Sequence, residues 1–382
     1  MRKICIVVNS RANYGRIKSV LSSVQEHPDL SLQLVVGASA LLYRFGSTVE
    51  VMQADGFVPD ATCHMVIEGD TPATMAKSTG LGIIELASLF EGLKPDIVLT
   101  VADRYETMAT AIAASYMNIC LAHTQGGELT GSIDESVRHA ITKMAHLHFP
   151  SNDKAAGILQ QMGEPEDSIF VTGCPSIDLA AEFRRGEAKN LFETYGGTGA
   201  QLDWNAPFLV VLQHPVTTEY GQGKAQIEAT IEAVRRIRMQ TVWLWPNVDA
   251  GSDDISKSLR MFQSHNPDFP VHFYRNFRPD DYVRLIDRAA CLVGNSSSGI
   301  REGAFLGAPV VNIGSRQSGR ERGGNVIDVS HSADEIAAAI RQQVAHGKHA
   351  CDHIYGDGKA GGRIADILAS CRIGVHKEFV RA

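Results

Sequence analysis

Short apolar runs of strand type alternate with segments of helical spacing along most of this chain. Strand-type runs occupy residues 3–8, 32–37, 96–101, 119–123 and 148–151. Helical spacing falls between them, at 17–25, 46–54, 105–116 and 133–144. Strand alternating with helix predicts a parallel sheet covered on both faces. The pattern weakens over 184–204, around Gly196-Gly197-Thr198-Gly199, and this stretch reads as an interdomain crossover. It resumes with strands at 208–213, 241–245, 291–293 and 309–313 and helices at 223–239, 282–290 and 333–345. The fold class is therefore α/β, with two Rossmann-like domains facing a central cleft. The first is expected over 1–190 and the second over 205–362, and a C-terminal helix over 363–382 is expected to pack back on the first. Ligand groups belong at the carboxyl ends of the strands, which puts the active site between the halves.

The unusual polar residues gather at those strand ends. Gly294-Asn295-Ser296-Ser297-Ser298-Gly299-Ile300-Arg301-Glu302 follows the apolar run 289–293 and opens a helix expected over 300–306. Small residues let the backbone approach a ligand, and free N–H groups at a helix start favour an anion. Glu302, one turn in, would repel a phosphate but can accept bonds from sugar hydroxyls. Phosphate beside a diol is what a nucleotide presents.

Arg11, after the first strand, is placed to reach a diphosphate bidentately, or is a solvated loop arginine. No Gly-x-Gly-x-x-Gly occurs there, which weakens a dinucleotide-cofactor reading. Asp103-Arg104 ends the strand 96–101, where a carboxylate can move a proton at the cleft floor. The plain alternative is an ion pair capping the next helix. His123 through Gln125-Gly126-Gly127-Glu128 to Ser132, Asp134 and His139 forms a polar lid between strand and helix. Ser132 or Asp134 can serve as a simple N-cap, yet this many carboxylates and amides exceed what a cap needs. His214 ends a strand of the second half, where it can donate to a phosphate or exchange protons near neutral pH. Asn247 and Arg316 stand at later strand ends.

Bulk composition narrows the partners. With 382 residues, 44% hydrophobic and 21% charged, the chain reads as a two-domain globular protein. A net charge of −7 argues against nucleic acid or anionic membrane as partner, so an anionic substrate must be held by local cations. Seven cysteines without Cys-x-x-Cys spacing fit a reducing compartment, and the fourteen histidines show no zinc pattern. The apolar run after Met1-Arg2-Lys3 is too short for a signal peptide, and no run reaches membrane-spanning length. A cytoplasmic location is expected.

In this order, the residues resemble the UDP-N-acetylglucosamine 2-epimerase family. The resemblance is to its hydrolysing branch, which makes N-acetylmannosamine or related sugars for sialic-acid-type biosynthesis. It runs over nearly the whole chain. Its specific pieces are Gly126-Gly127-Glu128 through His139-Ala140-Ile141-Thr142-Lys143, His214-Pro215-Val216-Thr217-Thr218, Pro246-Asn247-Val248-Asp249-Ala250-Gly251-Ser252, and Gly294 to Glu302 with Asn312 to Arg316. It implies the GT-B-type two-domain fold. It places Arg11, Ser296, Ser297 and Gly299 on the diphosphate and Glu302 on the ribose. Arg104, Asn247 and Arg316 would hold the nucleotide or the sugar. Asp103 and Asp134 match catalytic carboxylates, and His214 matches a phosphate-side histidine. The implied chemistry is proton abstraction at carbon 2 with anti loss of UDP, then addition of water. No metal or redox cofactor is implied, and dimers or tetramers are common in the family.

Two departures stand out. Where the family usually carries a catalytic glutamate before Gly-Gly, this chain has Gln125, so the base role shifts to Asp103, Asp134 or Glu128, or activity falls. Ser39-Ala40-Leu41-Leu42 replaces the usual Gly-x-His-Leu and removes a sugar-side histidine. A 2,4-diacetamido-6-deoxy sugar, as in legionaminic acid synthesis, and a GDP-linked donor therefore stand beside UDP-N-acetylglucosamine as candidate substrates. A GT-B glycosyltransferase and a sugar-nucleotide binding protein without turnover are the alternative functions.

Overall fold

The computed structural model describes residues 1–183, 190–377 and 380. Each half is built on one sheet. The first contains β1 (Arg2–Val8), β2 (Leu30–Gly37), β3 (Ala61–Cys63), β4 (Ile97–Val101), β5 (Cys120–Thr124) and β6 (Leu147–Phe149). Their order is β3-β2-β1-β4-β5-β6, and every pair is parallel. Positions 4–8 of β1 and all of β4 are buried, which is why both read as continuous apolar runs.

The second sheet contains β7 (Gly197–Gly199), β8 (Leu209–Leu212), β9 (Thr241–Leu244), β10 (Val271–Tyr274), β11 (Cys291–Gly294), β12 (Val310–Ile313) and β13 (Val326–Val329). They lie in the order β13-β12-β11-β8-β9-β10-β7, parallel except for β7 against β10. Leaving β7 aside, both sheets share the order 3-2-1-4-5-6 when strands are counted within each half. The direction of winding reverses between β1 and β4, and again between β8 and β11. A crevice opens at the carboxyl ends of each such pair.

Four stretches differ from the reading of the sequence. The expected crossover 184–204 begins with residues outside the described ones, but from Asn190 onward it is structured. Asn190 caps the short helix Leu191–Thr194, and β7 then pairs antiparallel with β10 as an edge strand. The glycines that hid β7 are what permit it, because a Cβ on Gly197 would lie 2.5 Å from the Phe273 carbonyl oxygen.

The helix Pro72–Leu93 also escapes the hydrophobic pattern. Its buried positions Ser78, Gly82, Leu86 and Phe90 recur every four residues, but the first two are small and weakly apolar. The helix Ser252–His265 buries only Ile255, Ser258, Leu259 and Phe262 within a polar sequence. Finally, the C-terminal helix spans Ala360–Ser370, shorter and earlier than expected. Its Ile364, Ala365 and Leu368 join Val20, Leu21 and Val24 of the helix Lys18–Glu26 in the core beneath β1.

Candidate active site

The two winding reversals face one another across a cleft of about 1490 Å³, its open mouth included. It is an open cleft lined by residues of both halves, the setting in which small-molecule sites are commonly found. At the end of β1, Ser10 caps the helix Arg11–Gly15 by accepting from the Asn13 amide (3.2 Å). That cap sets Arg11 and Arg16 on the cleft wall. Arg11 donates to the Asn276 side chain and to the Arg275 carbonyl (3.4 Å). Arg16 donates to Ser297 of the other half (2.7 Å) and lies 3.8 Å from Asp103. At the end of β4 the backbone turns through Ala102, at φ 65°, and presents Asp103 and Arg104. Arg104 pairs with Glu106 of the following helix (3.0 Å) and with Asp249 across the cleft (2.9 Å).

In the second half, β11 ends at Gly294, whose φ of 135° and approach to the Leu212 carbonyl leave no room for a Cβ. Asn295 then spans the reversal. Its Oδ1 accepts from the His214 amide (2.7 Å) and its Nδ2 donates to the His214 carbonyl (2.8 Å). The Ser296 hydroxyl lies 2.8 Å from that of Ser298, which in turn meets the Tyr282 hydroxyl at 2.8 Å. The Asn247 amide donates to His214 Nδ1 (3.2 Å), so the neutral ring carries its proton on Nε2. Burial, then the charges of Arg316, Arg11, Arg104 and Arg16, hold that imidazole neutral far below its usual range.

Charge in the cleft opposes the charge of the chain. Arg11, Arg16, Arg44, Arg104, Arg275, Arg316 and Arg320 line it, against the carboxylates Asp103, Asp134 and Glu302. A protein of net charge −7 thereby keeps a cationic pocket, and it attracts an anion by local placement alone.

Those carboxylates differ in kind. Burial favours a neutral Asp103, but Arg138 against its Oδ2, with Arg16, Arg320 and Arg301 nearby, holds it far below the carboxylate range. Asp134 moves the other way. Burial and the charge of Asp103 push it up to about 6, against the pull of Arg316 at 3.5 Å. One carboxylate is a fixed anion; the other exchanges protons near neutral pH. Glu302 lines the cleft with a buried Oε2 that has no hydrogen-bond partner, an acceptor left open for a hydroxyl.

Of the twelve residues expected at the site, Arg11, Asp103, Arg104, Asp134, His214, Asn247, Ser296, Ser297, Glu302 and Arg316 line this cleft, and Gln125 and Gly299 do not. Gln125 is wholly buried at φ 62°, and its Nε2 donates to Cys174 Sγ (3.0 Å). Gly299 packs on the sheet, where a Cβ would crowd Val310 at 2.9 Å. Glu128, weighed as a substitute base, also stays outside. Its Oε2 pairs with Arg301 (2.6 Å) and Arg320, Ser151 donates to its Oε1 (2.8 Å), and these cations outweigh burial and bring it down to about 2. Arg16, Arg44, Arg275 and Arg320 are lining residues that the sequence reading passed over. Arg16 and Arg320 sit five and four residues beyond Arg11 and Arg316, in turns already marked, and that recurrence was the available signal.

Among the described residues, no group of three or more His, Cys, Asp or Glu side chains is placed to hold a metal ion, and no helix is long and apolar enough to cross a membrane.

A family model described as UDP-N-acetylglucosamine 2-epimerase matches residues 22–369. The chain belongs to that family. A relative from Legionella pneumophila, named UDP-N,N'-diacetylbacillosamine 2-epimerase (hydrolyzing), is 33% identical over 380 residues, covering 100% of this chain and 98% of its own. A GDP/UDP-N,N'-diacetylbacillosamine 2-epimerase (hydrolyzing) from Campylobacter jejuni is 31% identical, covering 86% of this chain and 84% of its own. Among solved structures, the UDP-GlcNAc 2-epimerase from Neisseria meningitidis bound to UDP-GlcNAc superposes with a TM-score of 0.79 at 19% identity, over 96% of this chain and 99% of that one. At that identity the likeness is one of fold. It shows the family's two-domain α/β architecture here.

Proposed function

We propose that this protein is a hydrolysing sugar-nucleotide 2-epimerase. It would release a free 2-epimerised aminosugar and a nucleoside diphosphate from a UDP- or GDP-linked 2-acetamido sugar. The observation that carries this reading is the pairing, in one cleft, of a cationic wall with two carboxylates of opposed acidity. The regions 1–190 and 205–362 act as the two jaws. Arg11, Ser296 and Ser297 meet the diphosphate, Glu302 accepts from the ribose hydroxyls, and His214 donates through Nε2–H. Arg104, Asn247 and Arg316 flank the nucleotide and sugar.

In this mechanism Asp134 takes the proton from carbon 2 as the carbon 1–oxygen bond breaks, and the electron pair leaves with the nucleoside diphosphate. Fixed cations and N–H dipoles absorb the charge growing on that leaving group. Water then adds its oxygen to carbon 1 of the glycal, while a proton exchanged with solvent reaches carbon 2 on the opposite face. Asp103, ionised and held by Arg138, is too weak a base for the first step. Its role is to keep Asp134 basic enough to act. The support for Asp134 over Asp103 is acidity, since a general base works best when poised near the working pH.

The diacetamido donor is preferred over UDP-N-acetylglucosamine. The relatives from Legionella pneumophila and Campylobacter jejuni carry diacetylbacillosamine in their names, and Leu41 stands at the position of the family's histidine. The test is proton NMR in deuterated water with a panel of UDP- and GDP-linked 2-acetamido and 2,4-diacetamido sugars. Deuterium at carbon 2 of a released sugar supports the reading. Recovery of an intact epimerised nucleotide sugar, or no reaction with any donor, overturns it.

A further inference from the structure

Asp70 lies between β3 and the helix Pro72–Leu93, far in sequence from the residues it touches. Its Oδ1 accepts from the amides of Gly251 (2.9 Å) and Ser252 (3.2 Å), and its Oδ2 accepts from the Asp253 amide (3.0 Å). These are the leading N–H groups of the helix Ser252–His265, in the other half of the molecule. That helix has no cap of its own, since its N-cap position is Gly251, at φ 94°. The next residue, Thr71, caps its own helix instead, accepting from the Thr74 amide (3.2 Å). Two consecutive residues therefore cap two helices, one in each half. The contact is reinforced by Tyr220, whose hydroxyl donates to the Asp70 carbonyl (3.1 Å), and by the Ala250 amide, which donates to Met75 Sδ (3.4 Å).

The segment just before the capped helix is cleft wall. Pro246, Asn247 and Val248 line the cavity. Asn247 donates its side-chain amide to Asp249 and its backbone amide to His214 Nδ1, and Asp249 pairs with Arg104 across the cleft. Where Gly251 sits decides where Asn247 and Asp249 sit, and through them which ring nitrogen of His214 faces the ligand.

We propose that Asp70 is a positioning residue for the reaction: by capping a helix of the opposite half, it holds the Pro246 to Gly251 loop in register over the bound nucleotide. The cap exists only while the halves are together. Parting them leaves three amides without their acceptor and the loop without its anchor. Asp70 thus ties closure to the setting of His214, and this rests on the epimerase reading above.

The experiment compares Asp70→Ala, Asp70→Asn and Asp70→Glu with the parent protein. It measures turnover of the accepted sugar nucleotide, UDP affinity by calorimetry, and compactness by small-angle scattering with and without UDP. Losing a helix cap shifts such an equilibrium by about tenfold. The alanine variant should lose about tenfold in kcat/KM, chiefly through KM. It should also scatter as a more open particle at saturating UDP, while its melting temperature stays within a few degrees of the parent. The asparagine variant, which keeps one acceptor oxygen, should recover part of both. Parent-like kinetics and compactness in Asp70→Ala overturn the proposal. Opening without any change in kinetics removes the positioning role. A parent protein that turns over no sugar nucleotide defeats the epimerase reading instead, and the scattering and UDP-affinity arms still report on the latch.

Discussion

Asp134 owes its basicity to burial and to Asp103: desolvation and that neighbouring negative charge push it up to about 6, while Arg138 keeps Asp103 itself ionised. A base must be ionised to act, so kcat/KM should rise with pH through about 6 and level off above it. Below that point it should fall about tenfold per pH unit. Replacing Asp134 by Asn should remove about 10²- to 10⁴-fold in kcat with little change in UDP affinity. A pH–rate profile and calorimetric UDP titration check both statements.

His214 is neutral in the free cleft because burial and the surrounding arginines disfavour its cation. A diphosphate delivers negative charge against the same ring and raises its proton affinity. Binding of UDP should therefore move the titration of the ring upward and add a proton uptake that belongs to His214. Titrations in buffers of different ionisation enthalpy measure this directly, and a His214→Asn variant should bind UDP more weakly and lose part of the proton uptake.

Glu128 predicts a stability effect rather than a catalytic one. Replacing it by Gln leaves Arg301 and Arg320 buried without their counter-charge, which typically costs ~3–5 kcal/mol. Because Glu128 is held down at about 2, against an ordinary value of 4.5, its contribution is fully present above about 4.5 and is lost as pH falls through about 2. Denaturant melts of parent and variant at neutral pH and near pH 3 should show the gap narrowing in acid. Activity of the folded variant, assayed cold, should stay within a few-fold of the parent.

Gln125 invites a reversion to the family's glutamate. Its amide is wholly buried and donates to Cys174. A carboxylate there loses that donor and must be desolvated, so Gln125→Glu should destabilise the fold by ~1–3 kcal/mol without raising turnover. A tenfold gain in kcat would show instead that this position reaches the substrate.

Gly294→Ala is the backbone test of the nucleotide turn. With φ at 135° and the Leu212 carbonyl where a Cβ would go, the substitution should cost at least ~1–3 kcal/mol and weaken UDP binding. Thermal melts and UDP titration read both effects.

What the chain could tell by itself is local. The buried strands β1, β4 and β8, the turns that follow them, and the glycine and serines after β11 were all visible, because a strand covered on both faces must be apolar and must end where polarity returns. That was enough to pick out ten of the lining residues. It missed the helix Pro72–Leu93, whose buried stripe begins with serine and glycine, and β7, where glycine suppresses every strand signal. Only the tertiary structure could sort the acids. Asp103, Glu128 and Asp134 look alike in sequence, but Arg138, Arg301 and Arg320 arrive from residues 35, 173 and 192 positions away to neutralise the first two. Which carboxylate keeps a usable proton depends on desolvation and on charges brought close by folding, and neither quantity exists in the unfolded chain.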